Sequence, residues 1–183
     1  MDDSLYSSIK SNSKLNIFKD YLEFLNKHDE LTESEKVLFS SVGHDFIKMI
    51  ENISMSKTYK IPVIYAFYNH GDIKIAVDED DIYEAFYEFY SRASNKVDMF
   101  RDKSTSNFEK WNKDDYVKLA KKNPVKFLLK SESQCFKEKE GYVLALHDEM
   151  KEIIENKAFK EHMIDALECR TKRYYDGRNS TYF

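Results

Sequence analysis

Glycine and proline are scarce in this sequence: only four glycines and two prolines occur among its 183 residues. A glycine-rich loop that cradles phosphates, a collagen-like repeat and a sandwich of many tightly turned strands all need more of these two residues. The composition therefore argues against all three architectures and favours a chain with few tight turns.

Long apolar runs and clustered cysteines are missing as well. No stretch approaches the roughly 18 consecutive apolar residues of a membrane-spanning helix. The first ten residues have neither the basic nor the apolar region of a secretory signal. The two cysteines, Cys135 and Cys169, form no Cys-x-x-Cys motif. We therefore expect two reduced thiols, a cytoplasmic protein and no membrane partner.

Aromatic residues, in contrast, are abundant: 13 Phe, 13 Tyr and one Trp make up 15% of the chain, and hydrophobic residues make up 42%. This apolar content is sufficient for a packed core, and the length corresponds to roughly one domain. The sequence thus predicts a folded chain and not a disordered one.

The net charge of −4 conceals two blocks of opposite sign. Residues 72–90, the acidic block, contain seven acidic residues and one basic residue, a net charge of −6. Residues 92–139, the basic block, contain 13 basic and seven acidic residues, a net charge of +6. Because local clusters decide what a surface attracts, the basic block is the first candidate for a binding surface.

Residues 1–57 are predicted to form an N-terminal helical extension. Thr32-Glu33-Ser34-Glu35 has the pattern of a capping box, in which the Thr hydroxyl and the second Glu carboxylate each accept a backbone amide. From there, apolar residues recur on one side as far as Ile53, which predicts a single helix.

Residues 58–147 have the element order of a winged helix, namely helix, short strand, helix, helix and hairpin. Pro62 marks the start of the first helix, which is predicted to end at Asn69-His70-Gly71. Residues 72–77 alternate between polar and apolar, as in a strand, and Asp78 is predicted to cap the next helix.

The second half of this region contains the remaining elements. Asn123-Pro124 predicts either a fresh short helix or a sharp kink. Gly141 predicts a hairpin that pairs about 134–138 with 142–146, and the strand near 72–77 is predicted to lie beside it.

Two further helices, about 148–156 and 158–175, are predicted within residues 148–183 and should pack on the central domain. Tyr174 is expected to point inward, whereas Arg170, Arg173 and Arg178 are expected to join the basic surface or to cap the helix. The predicted fold class is mainly α (α+β): a winged-helix-like core with a small hairpin, flanked by N- and C-terminal helices.

Residues 58–176 also carry a pattern of short motifs in a characteristic order. The motifs are Tyr59-Lys60-Ile61-Pro62, Gly71-Asp72-Ile73-Lys74, Phe86 with Phe89-Tyr90, Asp102-Lys103-Ser104, Trp111, Asn123-Pro124, and Arg170 with Tyr174-Tyr175. In these motifs the chain resembles the C-terminal region of large bacterial superfamily-two (DEAD/DEAH-type) helicases of restriction and phage-defence systems. The chain has no phosphate-binding Gly-x-x-x-x-Gly-Lys-Ser/Thr loop and no DEAD-like box. The resemblance therefore implies an accessory module, which grips nucleic acid or docks a helicase or nuclease partner, and not a motor.

The basic block supplies the candidate contact residues for nucleic acid, because phosphate contacts require several cations on one face. The candidates are Lys110, Lys113, Lys118, Lys121, Lys122, Lys126 and Lys130, with Lys137 and Lys139 on the wing. Arginine, the usual reader of base edges, occurs in this block only at Arg92 and Arg101. We therefore expect contact with the backbone of DNA or RNA, DNA being favoured, and little sequence specificity. A solvated lysine-rich face and a protein-docking face are the alternatives.

Catalytic and metal sites have weaker patterns. Four consecutive acids from Asp78 suit a helix start better than a metal site. His28, His44-Asp45 and Asp165 can be ordered like the ligands of a metal phosphohydrolase, and Asp72-Ile73-Lys74 like half of a nuclease core, but neither has a supporting context. We therefore expect no enzyme activity, no metal and no cofactor.

Aromatic residues crowd the two helices that precede the basic block, on more than one side of each. They are Tyr65, Phe67, Tyr68, Tyr83, Phe86, Tyr87, Phe89 and Tyr90. One side is expected to be core and the other to be covered by flanking helices or by a partner. This leaves a second function open, a protein-interaction subunit that docks a helicase or nuclease through its aromatic, acidic helix.

Overall fold

The computed structural model describes residues 17–179, and most of this chain is helical. Helices α1–α9 span Tyr21–Lys27, Glu33–Phe39, Val42–Asn52, Lys60–Tyr65, Glu79–Ser91, Val97–Arg101, Lys113–Ala120, Lys126–Ser131 and Lys157–Asn179. Strands β1–β5 are Tyr68–Asn69, Asp72–Ile73, Ala76–Val77, Phe136–Lys137 and Leu144–Leu146. None of the helices in this part of the chain is long and apolar enough to cross a bilayer. The predicted class, mainly α with a small β component, is confirmed.

Side-chain caps set the start of α2 and of α5, as the sequence predicts. The Thr32 hydroxyl accepts the Glu35 amide at 3.3 Å, and the Glu35 carboxylate accepts the Thr32 amide at 2.8 Å. The Asp78 carboxylate accepts the amides of Asp80 and Asp81 at 2.9 and 3.0 Å. Both caps satisfy amides that have no partner within their helix.

The predicted single helix from the first capping box to Ile53 is wrong, because the chain turns between α2 and α3. The Ser41 hydroxyl donates to the Leu38 carbonyl at 2.7 Å and accepts the Gly43 amide at 3.1 Å, so it ends one helix and begins the next. A Cβ on Gly43 would lie 2.7 Å from Leu38 and 2.8 Å from Ile153. The turn therefore depends on the close packing that glycine allows.

The segment after α4 is also different from the prediction. The helix ends at Tyr65, and Tyr68–Asn69 pairs with Asp72–Ile73 as a two-stranded hairpin. Its turn residues, His70 and Gly71, have φ angles of 50° and 102°. Two consecutive positive φ angles match the right-handed twist of the flanking strands. The predicted strand 72–77 is accordingly divided between β2 and β3.

Strands β4 and β5 form the wing, and β3 pairs with the other edge of β5. The antiparallel sheet therefore has the order β3-β5-β4. Phe136 pairs with Leu146, and Ala76 pairs with Ala145 on the other side of β5. The predicted hairpin and the third strand beside it are therefore confirmed. Together with α4, α5 and α7–α8, this sheet has the element order of a winged helix.

The core lies where α3, the sheet and α9 meet. The rings of Phe46 and Phe136 are 5.7 Å apart, those of Phe46 and Phe159 are 5.7 Å apart, and those of Phe67 and Phe136 are 5.9 Å apart. The buried cluster around them extends from Leu22 to Leu167. It thus draws residues from all three predicted segments, 1–57, 58–147 and 148–183, within the described part of the chain.

The closing helices are only partly as predicted. In place of a helix over 148–156 there is a 3-10 turn, Asp148–Lys151, followed by irregular chain. The Asn156 side chain accepts the Phe159 amide at 3.0 Å and so caps α9. Because Asn156 starts the helix, the residues before it remain outside.

The residues near the end of α9 attach it to the rest of the fold. Tyr174 is buried, as predicted. Arg170 and Arg173 donate to the carbonyls of Ile53 and Phe18 at 2.8 and 2.9 Å. They neither join the basic surface nor cap their own helix, so that prediction is wrong; the side chain of Arg178 lies outside the described residues. The two arginines satisfy carbonyls at the end of α3 and before α1.

The unfolding free energy should fall as the pH rises from about 5 to about 8. Burial raises the pKa of Glu51 from 4.5 to about 7, and the hydrogen bond to Asp20 raises the pKa of His44 above 6.5. Both groups hold a proton more tightly when folded. Their stabilising contribution is therefore complete below their unfolded pKa values and is lost as the pH rises through the folded values.

Urea unfolding across this pH range checks the prediction. In Glu51→Gln the side chain still accepts the Tyr21 amide but no longer titrates. Over this pH range we expect the unfolding free energy of the variant to fall by about 2 kcal/mol less than that of the wild type. An identical pH dependence in both proteins would contradict the prediction.

Candidate nucleic-acid interface

The basic helix, our name for the unbroken helical stretch Lys113–Ser131, carries most of the predicted contact residues. Asn112 begins it: its side chain accepts the Asp115 amide at 3.2 Å, and the Asp115 carboxylate accepts the Asn112 amide at 3.1 Å. This reciprocal cap makes Lys113 the first residue of the helix.

A π-helical turn, Lys121–Val125, lies in the middle of the basic helix. Of the two alternatives predicted at Asn123-Pro124, a fresh helix and a sharp kink, the fresh helix is wrong, because the chain stays helical through Pro124. In an α-helical turn the proline ring would clash with the carbonyl four residues earlier, and the wider π turn relieves that clash. The helix therefore continues through the proline without ending.

The π turn changes which side chains share a face. Four lysines, Lys118, Lys122, Lys126 and Lys130, form what we call the lysine ladder. In a regular α-helix, at about 100° per residue, the first and last would be roughly 120° apart around the axis. One π turn adds a single residue without adding a turn, which reduces that angle to roughly 20°. The ladder is thus close to straight.

The opposite side of the basic helix is part of the core. Its buried residues are Tyr116, Val117, Ala120, Pro124, Val125 and Leu128. They pack against α4 and α5, the two helices that precede the basic helix in the winged-helix order. All four ladder lysines are exposed, so the ladder faces away from the protein.

The structure places the nine predicted lysines in different environments. Lys113 and Lys137 are half-buried. The exposed ones are Lys110, Lys118, Lys121, Lys122, Lys126, Lys130 and Lys139. Lys118, Lys121, Lys122 and Lys126 are exposed, as a phosphate-binding face requires. Because α8 packs against β4, the strand that carries Lys137, the helix and the wing are neighbours; a shared binding surface stays a prediction.

Three of the nine lysines form ion pairs. Lys113 pairs with Asp80 at 2.6 Å, and Lys121 pairs with Glu79. The acidic first turn of α5 thus lies against the first half of the basic helix. Surface ion pairs contribute about 0–1 kcal/mol, so they reduce the local positive charge but leave these lysines able to exchange partners.

On the wing, the third pair joins Lys137 to Asp148. The other six, Lys110, Lys139 and the ladder, have no carboxylate partner within residues 17–179. Of the nine predicted lysines, these six therefore carry the positive charge that no ion pair offsets. Among the nine candidate lysines, those that pair with the acidic block, Lys113 and Lys121, lie in the first half of the basic helix.

The tip of the wing combines a cation with an aromatic ring. The Lys139 ammonium lies 4.4 Å from the centroid of the Tyr142 ring, and Tyr142 is 46% exposed. Gly141 has a φ of 79°, which allows the tight turn that brings the two together. A cation beside an exposed ring is suited to both phosphate and base contacts.

Sequence reasoning missed two aromatic residues of this surface, Tyr142 and Phe127. Phe127 is 54% exposed on α8, and the Lys60 ammonium lies 5.9 Å from its ring centroid. The signal that could have found Phe127 is its place next to lysines, on a helix that has enough other apolar residues to form its buried side. Lys60 itself has no signal in the sequence, because it reaches this surface only through the packing of α4.

Trp111 lies at the entrance to the basic helix. Its indole NH donates to the side-chain oxygen Oδ1 of Asn107 at 3.1 Å, and its ring packs edge to face with that of Tyr116, with 5.3 Å between the centroids. The Trp111 side chain is half-buried, and its neighbours in the sequence include Lys110 and Lys113. The tryptophan thus anchors the start of the candidate interface to the core.

Residues 17–179 contain no group of three or more His, Cys, Asp or Glu that could hold a metal ion. His44 instead pairs with Asp20, and burial raises the pKa of the Cys135 thiol to about 12. Asp72 and Lys74, the residues of the nuclease alternative, pair with Lys160 and Asp81. No protein-family model, curated protein or solved structure matches the chain.

Proposed function

We propose that this chain is a non-catalytic nucleic-acid-binding module that grips the phosphate backbone, with DNA as the favoured ligand. The observation that carries the proposal is the lysine ladder, four exposed lysines on one side of a helix with no carboxylate partner among the described residues. The ladder occupies the position of the recognition helix in the winged-helix order.

The side chains of the interface favour backbone contact over base reading. Lysine is a flexible point charge, whereas specific reading of guanine relies mostly on the planar fork of arginine. Arg92 is at the far end of α5, where it pairs with Glu88 at 3.6 Å. Lys139 and Tyr142 on the wing are the second contact point in this proposal.

The setting of this module follows from the resemblance of residues 58–176 to the C-terminal region of superfamily-two helicases. We propose that it serves a helicase- or defence-associated system of bacteria, in which another polypeptide or domain supplies the motor. The module would add grip on nucleic acid and would take no part in nucleotide hydrolysis.

Salt-titrated binding tests this function. Labelled duplex DNA, single-stranded DNA and duplex RNA are each titrated with the protein while fluorescence anisotropy is recorded. For four to six phosphate contacts on duplex DNA, we expect log Kd to rise with log salt with a slope of about 4 to 5, whatever the sequence. Absence of DNA binding at about 50 mM salt, or a slope near zero, would overturn the proposal.

The alternative function is a protein-interaction subunit that docks a helicase or nuclease through α5. Tyr87, which is 58% exposed on that helix, favours it. Most of the other aromatic side chains in this region pack within the chain itself; Tyr83, for example, meets Tyr116 at 5.8 Å. No nucleic-acid binding at low salt, together with retention of a partner on the intact chain, would favour this alternative.

A further inference from the structure

A groove of about 310 Å³ lies beside α5, on a different side from the basic helix. Its walls are the end of α4, the β1–β2 hairpin, α5 and α9. One side of α5 and the residue that follows the helix line the groove with Asp81, Glu84, Ala85, Glu88, Phe89 and Arg92. The side of α5 that meets the basic helix carries Tyr83 and Asp80 instead. The groove is therefore separate from the proposed nucleic-acid interface.

Aromatic rings and small residues shape the interior of the groove. The rings of Tyr65 and Phe89 are 6.3 Å apart, and Tyr68 is 37% exposed on the hairpin. Ala66 and Ala85 are also in the lining and leave room between the larger side chains. A volume of about 310 Å³ is at the lower end of the range of roughly 300–1,000 Å³ for ligand pockets. This space suits one long side chain better than a whole helix.

Negative charge is in excess around these rings. Asp81 pairs with Lys74, and Glu88 pairs loosely with Arg92 at 3.6 Å. Glu84 and Glu168 also line the groove, and neither has an ion-pair partner within residues 17–179. Two uncompensated carboxylates thus flank an aromatic interior.

Carboxylates beside aromatic faces are the elements that recognise a guanidinium group. A cation over an aromatic ring is attracted by the negative face of the ring. A carboxylate accepts two parallel hydrogen bonds from arginine. Arginine and tyrosine are also among the residues that dominate protein interfaces. An arginine therefore complements both the shape and the charge of the groove.

We propose that this groove binds an arginine side chain from a basic segment of a partner protein. The stem of the arginine lies against Tyr65 and Phe89, and its guanidinium lies between Glu84 and Glu168. The proposal does not depend on nucleic-acid binding, because the lysine ladder and the groove share no residue. A module with both sites would hold nucleic acid on one side and a protein on the other.

A matched pair of peptides tests the proposal on the full chain. One fluorescein-labelled peptide carries arginines separated by glycine and serine, and the other has citrulline, the neutral isostere, in place of each arginine. We expect the arginine peptide to bind at least about tenfold more tightly, because charge-assisted hydrogen bonds are about twice as strong as neutral ones. Equal binding of the two peptides, or no binding of either, would overturn the proposal.

Variants locate the binding. Glu84→Gln with Glu168→Gln should weaken the arginine peptide by about tenfold or more and leave the affinity for DNA unchanged. Glu152→Gln with Glu149→Gln, at exposed acids outside the groove, is the control and should bind as the wild type does. If the groove and control variants bind the arginine peptide equally, the assigned site is wrong. A loss of DNA binding alone would concern only the proposed function.

Discussion

A chain that ends after Lys157 is expected to be unfolded. The truncation removes α9, which packs on α2, α3 and α4 and whose side chains Phe159, Met163 and Leu167 are fully buried. Burying each such side chain contributes about 1.5–3 kcal/mol, and a whole domain is stable by only about 5–15 kcal/mol. Far-UV circular dichroism and thermal denaturation measure the outcome. A truncated chain with wild-type helicity and melting temperature would show that α9 is a detachable arm.

A point variant tests one hydrogen bond that holds α9 to the rest of the fold, without removing the helix itself. The single proton of the Tyr174 hydroxyl has two acceptors within reach, the Ser56 carbonyl at 2.9 Å and the buried Asp98 carboxylate at 3.1 Å. Tyr174→Phe keeps the ring but removes this donor, which should cost about 1–3 kcal/mol. Tyr87→Phe, at an exposed tyrosine, is the matched control and should change stability by less than about 0.5 kcal/mol.

Replacing the four ladder lysines with glutamine should largely abolish nucleic-acid binding. The change involves Lys118, Lys122, Lys126 and Lys130, which are all exposed, so the fold should persist. Each lost phosphate contact reduces the salt slope by about 1. The slope should therefore fall by about 4, and the affinity at low salt should fall by about two orders of magnitude or more.

The control for this variant changes the same amount of charge elsewhere. It replaces Lys27, Lys36, Lys151 and Lys172, which are also exposed and lie outside the basic block. Its affinity should decrease much less than that of the ladder variant. If both quadruple variants lost the same affinity, net charge alone would explain binding, and the ladder would have no special role.

Features of the fold that depend on neighbouring residues could be predicted from the sequence. The caps at Thr32 and Asp78 need only residues within one turn of the helix. The hairpin around Gly141 depends on alternation and on one residue that tolerates a positive φ. The third strand beside it follows from the element order of a winged helix.

Features that depend on tertiary contacts could not be predicted. The turn at Ser41 is followed by Gly43, where a Cβ would lie only 2.8 Å from Ile153, a residue far away in sequence. The π turn at Pro124 keeps the helix continuous at a residue type that often ends a helix. The ion pairs of the acidic and basic blocks join Glu79 to Lys121, residues that are 42 positions apart in sequence. Such pairs depend on how α5 and the basic helix pack.

The candidate interface was therefore only partly accessible from the sequence. The nine lysines could be proposed from charge alone, but the π turn decides that four of them are aligned. The pairing of Lys113 and Lys121 with acids distinguishes them from the ladder. The groove was not predicted, because its walls come from four separate elements.

Trp111 gives the protein an optical reporter at the entrance to the basic helix. It is the single tryptophan of the chain, so its emission has one origin. Tyr116 lies 5.3 Å away, close enough to pass excitation energy to it. Energy transfer from Tyr116 therefore contributes to this emission when the start of the basic helix is folded, with no dye attached to the protein. Because the indole is half-buried beside Lys110 and Lys113, a strand bound across these lysines should shift or quench the same emission.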